Sequence, residues 1–443
     1  MRRFQLRRFW IDCMIATAFA FCVLFGLYGV TQLKAFNAFD PLGQALGDME
    51  FTDIAFSQIR EDPVLDTNIV VVNIGYLTRA EIGQQIRNLN YFKPKAIGLD
   101  IIFSCDGGLY DSINCPQFYD TLSNMIFAGA VQEATGRMVL AQKIWQTKEL
   151  VRKRGDVAIY DSIEHTDAHL RIGAYEGFVN LETDAEHQED LKVCRRFTPS
   201  LVVNGKKEIA YSVKLAWLFD SVKTKKFLSR NKASEIINYR GNIVDWHGAS
   251  NYAGRYAVLD WDQALDTSMF VGDMIKDKIV IMGFLGRDLR DTSWDDKFFT
   301  PLNKVYAGKS RPDMYGPVVH ANIVSMILNE DYVEELVEWQ EYAIAIIICF
   351  LNVALFSLIH DRIPKWYDTL TIILQLTQIV LFTFAMMYVF SWADFKLNLT
   401  LTLAALALVG TCYEIYESIV KAFILRLQQG ALFTKPNKDV LTP

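Results

Sequence analysis

The chain has 443 residues, 51% of them hydrophobic, and a formal net charge of −6. This hydrophobic content predicts that part of the chain lies in a lipid bilayer. The mild acidity and the lack of a basic cluster argue against a nucleic-acid partner. The seven cysteines include no CxxC pair and no Cys/His cluster, so we expect no metal site and no cofactor.

Four apolar segments reach or approach the roughly 20 helical residues that are needed to cross a hydrocarbon core. The first, residues 9–30, follows the basic head MRRFQLRR. Its apolar run continues well past the Ala18-Phe19-Ala20 triplet, which favours an uncleaved anchor over a signal peptide. The other three lie in residues 341–416, and their short loops predict a compact antiparallel bundle. They are residues 342–359, 369–392 and 397–413.

Charged residues at the ends of these segments predict their orientation, because cytoplasmic loops carry an excess of Lys and Arg. Residues 1–8 contain four arginines, the tail at 417–443 contains four Lys or Arg residues, and the loop at 360–368 carries Arg362 and Lys365. Both termini are therefore expected in the cytoplasm. Residues 31–340 would then form a periplasmic domain of a multi-pass protein of the bacterial inner membrane.

The outside domain begins with a strand–helix–strand pattern. IVVVNI (69–74) and AIGLDII (96–102) are apolar runs typical of buried parallel strands. Between them, Thr78 and Glu81 are spaced as a capping box before a helix. This order of elements predicts a right-handed crossover and parallel pairing.

The alternation of strands and helices continues to residue 330. Further helices are predicted at 118–135, from about 209, and at 315–330. Further strands are predicted at 137–142, 177–184, 235–239 and 277–283, and Asn204-Gly205 is a strong tight-turn signal. The predicted fold class is α/β: a sandwich with a largely parallel central sheet, joined to four transmembrane helices.

Five motifs occur along this domain in a characteristic order. They are FKPKAIGLDIIFS (92–104), GFVNLETD (177–184), IINYRG (236–241), KIVIMGFLGRDLRDTSWDDKFFTP (278–301) and YGPVVHANIVSMIL (315–328). Together they resemble the CHASE type-two domain, an extracellular sensory domain of bacterial receptors, over roughly residues 45–415. Members of that family typically have one span before the domain and about three after it, which is the layout predicted here.

Family members usually also carry a cytoplasmic output module, such as a cyclase or a histidine kinase. Only about 27 residues follow the last predicted span, too few for an enzyme domain. The resemblance therefore implies a stand-alone form whose output is a separate protein.

Asp100 is a candidate ligand-binding residue. It lies near the C-terminal end of a predicted central strand, and ligands of open α/β sheets bind outside those ends. Its carboxylate would bind a cation or a polar ligand. The alternative is a carboxylate that caps a loop through backbone N–H groups.

GFLGRDLRD (283–291) follows another predicted strand. Its glycines would let the backbone approach a phosphate or carboxylate, which Arg287 and Arg290 would pair with. Asp288 and Asp291 complete this candidate site. The segment matches neither a GxGxxG nor a Walker loop, and the favoured alternative is a surface turn. A calcium loop is disfavoured because the aspartate spacing is not that of an EF-hand.

His320 lies beside an apolar stripe on the predicted helix at 315–330. It has no Cys, Asp or Glu four residues further on. We therefore interpret it as a packed or hydrogen-bonded histidine, with pH sensing as the alternative.

Cys105 and Cys115 lie in one short loop that would face an oxidising compartment. We expect them to form a disulfide, which would contribute roughly 2–3 kcal/mol by the loop-entropy model. The alternative is two free thiols.

These observations favour a non-enzymatic membrane sensor or signalling subunit. Its outside domain would bind an unidentified periplasmic ligand or partner and signal through the membrane bundle to a separate membrane or cytoplasmic protein. The alternative is a structural or assembly subunit of a cell-envelope complex. A periplasmic enzyme has the least support, because no set of acid, base and nucleophile is visible in the sequence.

Overall fold

The computed structural model describes residues 2–31, 50–104, 120–145, 160–181, 193–244, 254–304 and 311–423. Their contacts form two compact units. One is an α/β unit between residues 50 and 333. The other comprises helix α1 (Arg2–Thr31) and the described residues from 334 onward. The predicted disulfide between Cys105 and Cys115 lies outside the described residues.

The strands and the remaining helices are numbered in chain order. The strands are β1 (Asp66–Asn73), β2 (Ala96–Asp100), β3 (Met138–Trp145), β4 (Ser162–His165), β5 (Tyr175–Phe178), β6 (Arg196–Phe197), β7 (Ser200–Val203), β8 (Lys206–Ile209), β9 (Glu235–Ile236), β10 (Asn242–Ile243), β11 (Gly254–Leu259), β12 (Ile279–Gly283), β13 (Lys297–Phe298), β14 (Met314–Tyr315), β15 (Glu334–Glu335) and β16 (Phe395–Lys396). The helices are α2 (Phe51–Ile54), α3 (Arg79–Tyr91), α4 (Thr121–Glu133), α5 (Tyr211–Phe219), α6 (Ser221–Ser229), α7 (Trp261–Leu265), α8 (Gly316–Asn329), α9 (Glu338–Arg362), α10 (Tyr367–Ala393) and α11 (Thr400–Ile415).

The central sheet of the α/β unit has the order β10-β11-β1-β12-β2-β3-β4, and β5 also pairs with β3. Every pairing from β10 to β3 along this order is parallel, and only β4 is antiparallel to its neighbour. The predicted α/β fold with a largely parallel sheet is therefore confirmed. β12 lies between β1 and β2, so the predicted pairing of these two strands is wrong. The crossover through α3 joins parallel strands that are not neighbours.

Helices cover both faces of this sheet. Because successive side chains of a strand point to opposite faces, Ile97 and Leu99 of β2 pack in the core beneath α3 and α4. Gly98 between them faces α5 instead, where Tyr211 lies against it. α8 packs against β1 and β12. The result is three layers, with the sheet in the middle.

Local sequence signals agree with the structure at several points. Thr78 and Glu81 form the predicted capping box at the start of α3. Asn204 and Gly205 both have positive φ, at 49° and 79°, in the turn that joins β7 and β8. Two successive positive φ values are typical of the tight hairpin turn that an Asn-Gly pair favours.

The strand predicted at 235–239 is wrong in extent, and it does not join the central sheet. Only Glu235 and Ile236 are extended, and they pair antiparallel with β6 in a separate two-stranded sheet. The strand ends because the backbone N–H of Tyr239 bonds to the carbonyl of Ile237, which turns the chain. Likewise, the strand predicted at 177–184 ends at Phe178, and residues 182–184 of that prediction lie outside the described residues.

The second unit contains four helical segments that are long and apolar enough to cross a membrane. They are Arg8–Gly29, Glu338–Arg362, Pro364–Ala393 and Thr400–Phe423. Each overlaps one of the four predicted spans. Small and apolar residues of α1, α9 and α11 pack together inside this unit, among them Ala16, Val353 and Val409. Gln375 of α10 donates a hydrogen bond to the carbonyl of Leu406 (2.7 Å), which fits the use of polar side chains between membrane helices.

Candidate functional site

The carboxyl ends of β11, β1, β12 and β2 meet at one edge of the sheet, because these strands are parallel neighbours. Asp100 is the last residue of β2 and lies opposite Gly283, the last residue of β12. Asp100 therefore lies where the sequence placed it, at the edge that binds ligands in open α/β sheets.

A connected group of three side chains from two helices lies beside the Asp100 carboxyl group. The Nε2 atom of His320, from α8, lies 3.8 Å from the Oδ2 atom of Asp100. The Nδ1 atom of His320 is 2.7 Å from the hydroxyl oxygen of Ser212, from α5. The ring of Tyr211 meets the imidazole edge-on, with centroids 5.1 Å apart. We call Asp100, Tyr211, Ser212 and His320 the Asp100 cluster.

Two glycines allow the helices to approach the sheet this closely. A Cβ atom on Gly98 would lie 2.1 Å from the Tyr211 hydroxyl oxygen. A Cβ atom on Gly283 would lie 2.4 Å from the ring of Pro317, in the first turn of α8. Real Cβ atoms do not come so close to neighbours, because dense interiors leave no room for overlap. Because these two strand positions carry no side chain, both helices can pack close to Asp100.

Burial determines the charge states in the cluster. It raises the pKa of Asp100 to about 7, and the nearby negative charge of Asp296 adds to this effect. It lowers the pKa of His320 to about 3 and raises that of Tyr211 well above its usual value. Around neutral pH the imidazole and the phenol are both uncharged. Asp100 is the member of the cluster that changes charge in this range.

The Asp100 carboxylate has no strong counterion among the described residues. His320 is neutral and too distant for a hydrogen bond, and neither Arg287 nor Arg290 lies within ion-pair distance of it in the part of the chain that the structure describes. The Asp100 side chain keeps 15% of its surface exposed. The negative charge of this largely buried acid is therefore poorly compensated by the described residues.

The order Ser212, His320, Asp100 resembles that of a catalytic triad, but its geometry does not match one. Ser212 and His320 are only 1% and 3% exposed, so a substrate carbonyl has no access to the hydroxyl group. The carboxylate is 3.8 Å from the imidazole, beyond hydrogen-bond distance. The arrangement is that of a buried polar cluster, and His320 is the packed and hydrogen-bonded histidine that its helix position predicted.

The turn after β12 holds the other four candidate residues. The Asp288 carboxylate accepts from the backbone N–H of Arg290 (2.8 Å), and Asp291 accepts from those of Arg287 and Ser293 (both 2.8 Å). These bonds lower the pKa of Asp291.

Both acids in this turn are therefore engaged with their own backbone, and the Arg287 side chain is 76% exposed. This geometry is that of the surface turn favoured from the sequence. The described residues also contain no group of three or more His, Cys, Asp or Glu side chains that could hold a metal ion.

Asn73, at the end of β1, was not singled out from the sequence. Its amide donates to the Asp260 carboxylate (2.8 Å) and to the carbonyl of Gly286 (3.1 Å). Its carbonyl oxygen accepts from the N–H groups of Gly75 and Leu285, both at 2.9 Å. All four bonds go to loops at the carboxyl edge, so this buried side chain holds the edge together. A polar residue ending an apolar strand was the available signal.

A family model described as the CHASE2 domain matches residues 19–356, about three-quarters of the chain. The matched region contains the whole central sheet, the Asp100 cluster and the turn after β12. A comparison with curated proteins gave no match, and neither did a comparison with solved structures.

Proposed function

Because this chain belongs to the CHASE2 domain family, a family of extracellular sensory domains, we propose that it is a non-enzymatic sensor of the bacterial inner membrane. Its α/β unit lies in the periplasm and binds a ligand or partner. The signal passes through the four membrane helices to a separate protein. The basic residues at both termini and in the loop at 360–368 support this orientation.

The observation that carries the proposal is the course of α8 across the sheet. Near its start, His320 lies beside Asp100 at the carboxyl edge. Near its end, the Ser325 hydroxyl donates to the carboxylate of Asp66 (2.6 Å), the first residue of β1. One helix thus connects the Asp100 cluster with the opposite edge. The chain then passes through the short segment 330–337 into α9, the second apolar helix.

The chemistry of the Asp100 cluster favours a cationic or hydrogen-bonding ligand. A cation would supply the counterion that Asp100 lacks among the described residues, and it would lower the pKa of this acid. A ligand changes a conformational equilibrium only as far as its affinity differs between the two states. In this proposal the two states differ in the position of α8, which alters access to the Asp100 carboxyl group. A cation that compensates this carboxylate therefore binds one state more tightly than the other.

The output surface in this proposal is the loop at 360–368, between α9 and α10. His360, Tyr367 and Tyr413 have ring centroids 5.5–6.3 Å apart, so the ends of α9, α10 and α11 meet here. Trp366 is 62% exposed beside them. An exposed aromatic residue on a packed helix junction suits contact with a cytoplasmic partner.

The proposal is tested by thermal unfolding of the full-length protein in nanodiscs against a panel of small amines and polar metabolites. A ligand at 100 times its Kd is expected to stabilise the protein by about 2.7 kcal/mol. Asp100→Asn should abolish the stabilisation. Asp313→Asn is the matched control, since burial also raises the pKa of Asp313 to about 7. Its carboxylate is already bonded to the side chains of Thr300 and Asn303.

The same experiment discriminates the alternative of a scaffold subunit. Equal stabilisation of the wild type and Asp100→Asn would mean that the ligand binds outside the Asp100 cluster. If no compound stabilises the protein and an envelope protein co-purifies with it in stoichiometric amount, the sensor hypothesis fails and the protein is a structural subunit.

A further inference from the structure

A cavity of about 280 Å³ opens at the amino edge of the sheet, on the side opposite to the Asp100 cluster. It lies where the chain enters β1, β10 and β11. Four of its lining residues are basic, namely Arg60, Arg240, Arg255 and Lys304. Its two acidic residues, Glu61 and Asp62, are exposed at the rim. The volume lies just below the roughly 300–1,000 Å³ of drug-sized ligand sites, so a small metabolite fits.

Arg255 lies deep in this cavity, with 13% of its side chain exposed. Its guanidinium donates to two neutral oxygens, the carbonyl of Val64 (3.3 Å) and the hydroxyl of Ser325 (3.0 Å). The nearest carboxylate oxygen, from Asp66, is 3.8 Å away and already accepts the Ser325 hydroxyl at 2.6 Å. A buried arginine is ordinarily paired with a closely bonded anion. Here the carboxylate is at ion-pair distance, but no hydrogen bond joins it to the guanidinium.

Arg240 and Arg60 add charge and flat surfaces to the cavity. Arg240 makes two hydrogen bonds to the Asp331 carboxylate, at 2.7 and 2.8 Å. The Arg60 guanidinium stacks 4.3 Å above the centroid of the Phe56 ring and donates to the side-chain oxygen of Asn238. Guanidinium groups bind carboxylates and phosphates through paired N–H donors, so the cavity presents the donors that an oxyanion requires.

We propose that this cavity binds a small free oxyanion, a metabolite carrying a carboxylate or phosphate group. Arg255 and Lys304 supply the main charge, and Phe56 supplies an apolar wall. The anion competes with Asp331 for the donors of Arg240. Binding itself does not depend on the proposed sensor function. Only the consequence for signalling does, because Asp331 lies in the short segment between α8 and α9.

The test is isothermal titration of the full-length protein, in nanodiscs of neutral phosphatidylcholine, with inorganic phosphate, acetate and citrate. Sodium chloride at equal ionic strength is the reference. At least one of these oxyanions is expected to bind. Lys304→Gln, an exposed position, should weaken binding several-fold, and Arg255→Gln should weaken it at least about tenfold. Lys207→Gln, an exposed lysine of β8 outside the cavity, should bind as the wild type does.

The melting temperature of each variant shows whether it is folded, and Lys304→Gln keeps the test decisive if Arg255→Gln does not fold. Binding that neither substitution weakens would overturn the proposal. So would the absence of binding in phosphatidylcholine discs.

A second arm uses nanodiscs with anionic phosphatidylglycerol and no added oxyanion. Stabilisation there that Lys304→Gln removes, without binding of any free anion, would reassign the cavity to a lipid headgroup. The two proposed sites can fail separately. If phosphate or a carboxylate binds but Asp100→Asn changes the binding of no ligand, the oxyanion site stands and the proposed site at the carboxyl edge fails.

Discussion

The Nε2 atom of His320 lies 3.8 Å from the Oδ2 atom of Asp100, yet the two groups are not an ion pair. Burial lowers the pKa of the imidazole to about 3 and raises that of the carboxyl group to about 7. Each group is thus held towards its neutral form, because the surroundings disfavour charge more than the partner favours it. The stability of the α/β unit should therefore fall at low pH, where His320 has to be protonated, and at high pH, where Asp100 has to ionise.

Asp100→Asn is expected to remove a loss of stability at alkaline pH. The pKa of Asp100 in the folded state, about 7, exceeds its usual 3.8, so the folded state holds the proton more tightly. The stabilisation by protonated Asp100 is complete below pH 3.8 and is lost as the pH rises through 7. Between pH 5 and pH 8 the variant should gain roughly 2–3 kcal/mol relative to the wild type. Chemical unfolding of the full-length protein at both pH values measures this.

Several ionisable groups besides Asp100 bear on that experiment. Asp296, Tyr211 and His320 face it, and Asp313 has a similarly raised pKa elsewhere in the unit. Asp313→Asn should show its own gain, additive with that of Asp100→Asn. A stability difference for Asp100→Asn that stays constant from pH 5 to pH 8 would contradict the raised pKa.

His320→Gln is expected to remove a loss of stability at acidic pH. The folded state has a depressed pKa, about 3 against the usual 6.5, so the imidazole binds protons in the unfolded chain first. The stabilisation is present above pH 6.5 and is lost as the pH falls towards 3. At pH 5 this amounts to about 2 kcal/mol, measurable in the same unfolding series. An imidazole that titrates near 6.5 in the NMR spectrum of the folded protein would refute the assignment.

Ser212→Ala should cost about 1–3 kcal/mol at pH 7.5, because it leaves the buried Nδ1 atom of His320 without its partner. Combining it with His320→Gln tests that contact. The double variant should lose less than the sum of the two single changes if the pair interacts directly. If the two stability losses add strictly, the Ser212 hydroxyl and the His320 imidazole do not interact energetically.

Gly98→Ala should be strongly destabilising, by about 3 kcal/mol or more, because the new methyl group would overlap the Tyr211 hydroxyl and ring. Adding Tyr211→Phe removes the overlapping oxygen and should recover part of this loss. Gly129→Ala is the matched control. It lies in α4, and its added Cβ would meet only the flexible end of Arg87, so it should be neutral or slightly stabilising. Thermal unfolding compares all three, and an equal effect at Gly98 and Gly129 would refute close packing of α5 on β2.

Reporter fusions test the membrane orientation. Alkaline phosphatase fused after Gly205, in the turn between β7 and β8, should be active, because this enzyme needs an oxidising compartment to form its disulfides. A fusion after Pro364, between α9 and α10, should be inactive there and should support a fluorescent cytoplasmic reporter instead. The reverse pattern would place the α/β unit in the cytosol and would exclude periplasmic sensing.

Much of this fold was predictable because its signals are local in the chain. The apolar run that became β1, the capping box at Thr78 and the Asn204-Gly205 turn each depend on neighbouring residues only. The four apolar helices followed from length and composition. Asp100 could be placed at the end of β2 for the same reason.

The partners of Asp100 were not predictable. Ser212 and His320 are 108 residues apart, and neither has a motif around it that indicates the other. They meet because Gly98 and Gly283, on neighbouring strands, leave room for α5 and α8. That room depends on the position of β12 between β1 and β2, which the order of elements in the chain does not determine. Arg255 lies in β11 and Arg240 precedes β10. They line one cavity only because these two strands are parallel neighbours. Local patterns therefore determined the helices and strands, whereas the pairing of distant strands determined which charges face each other.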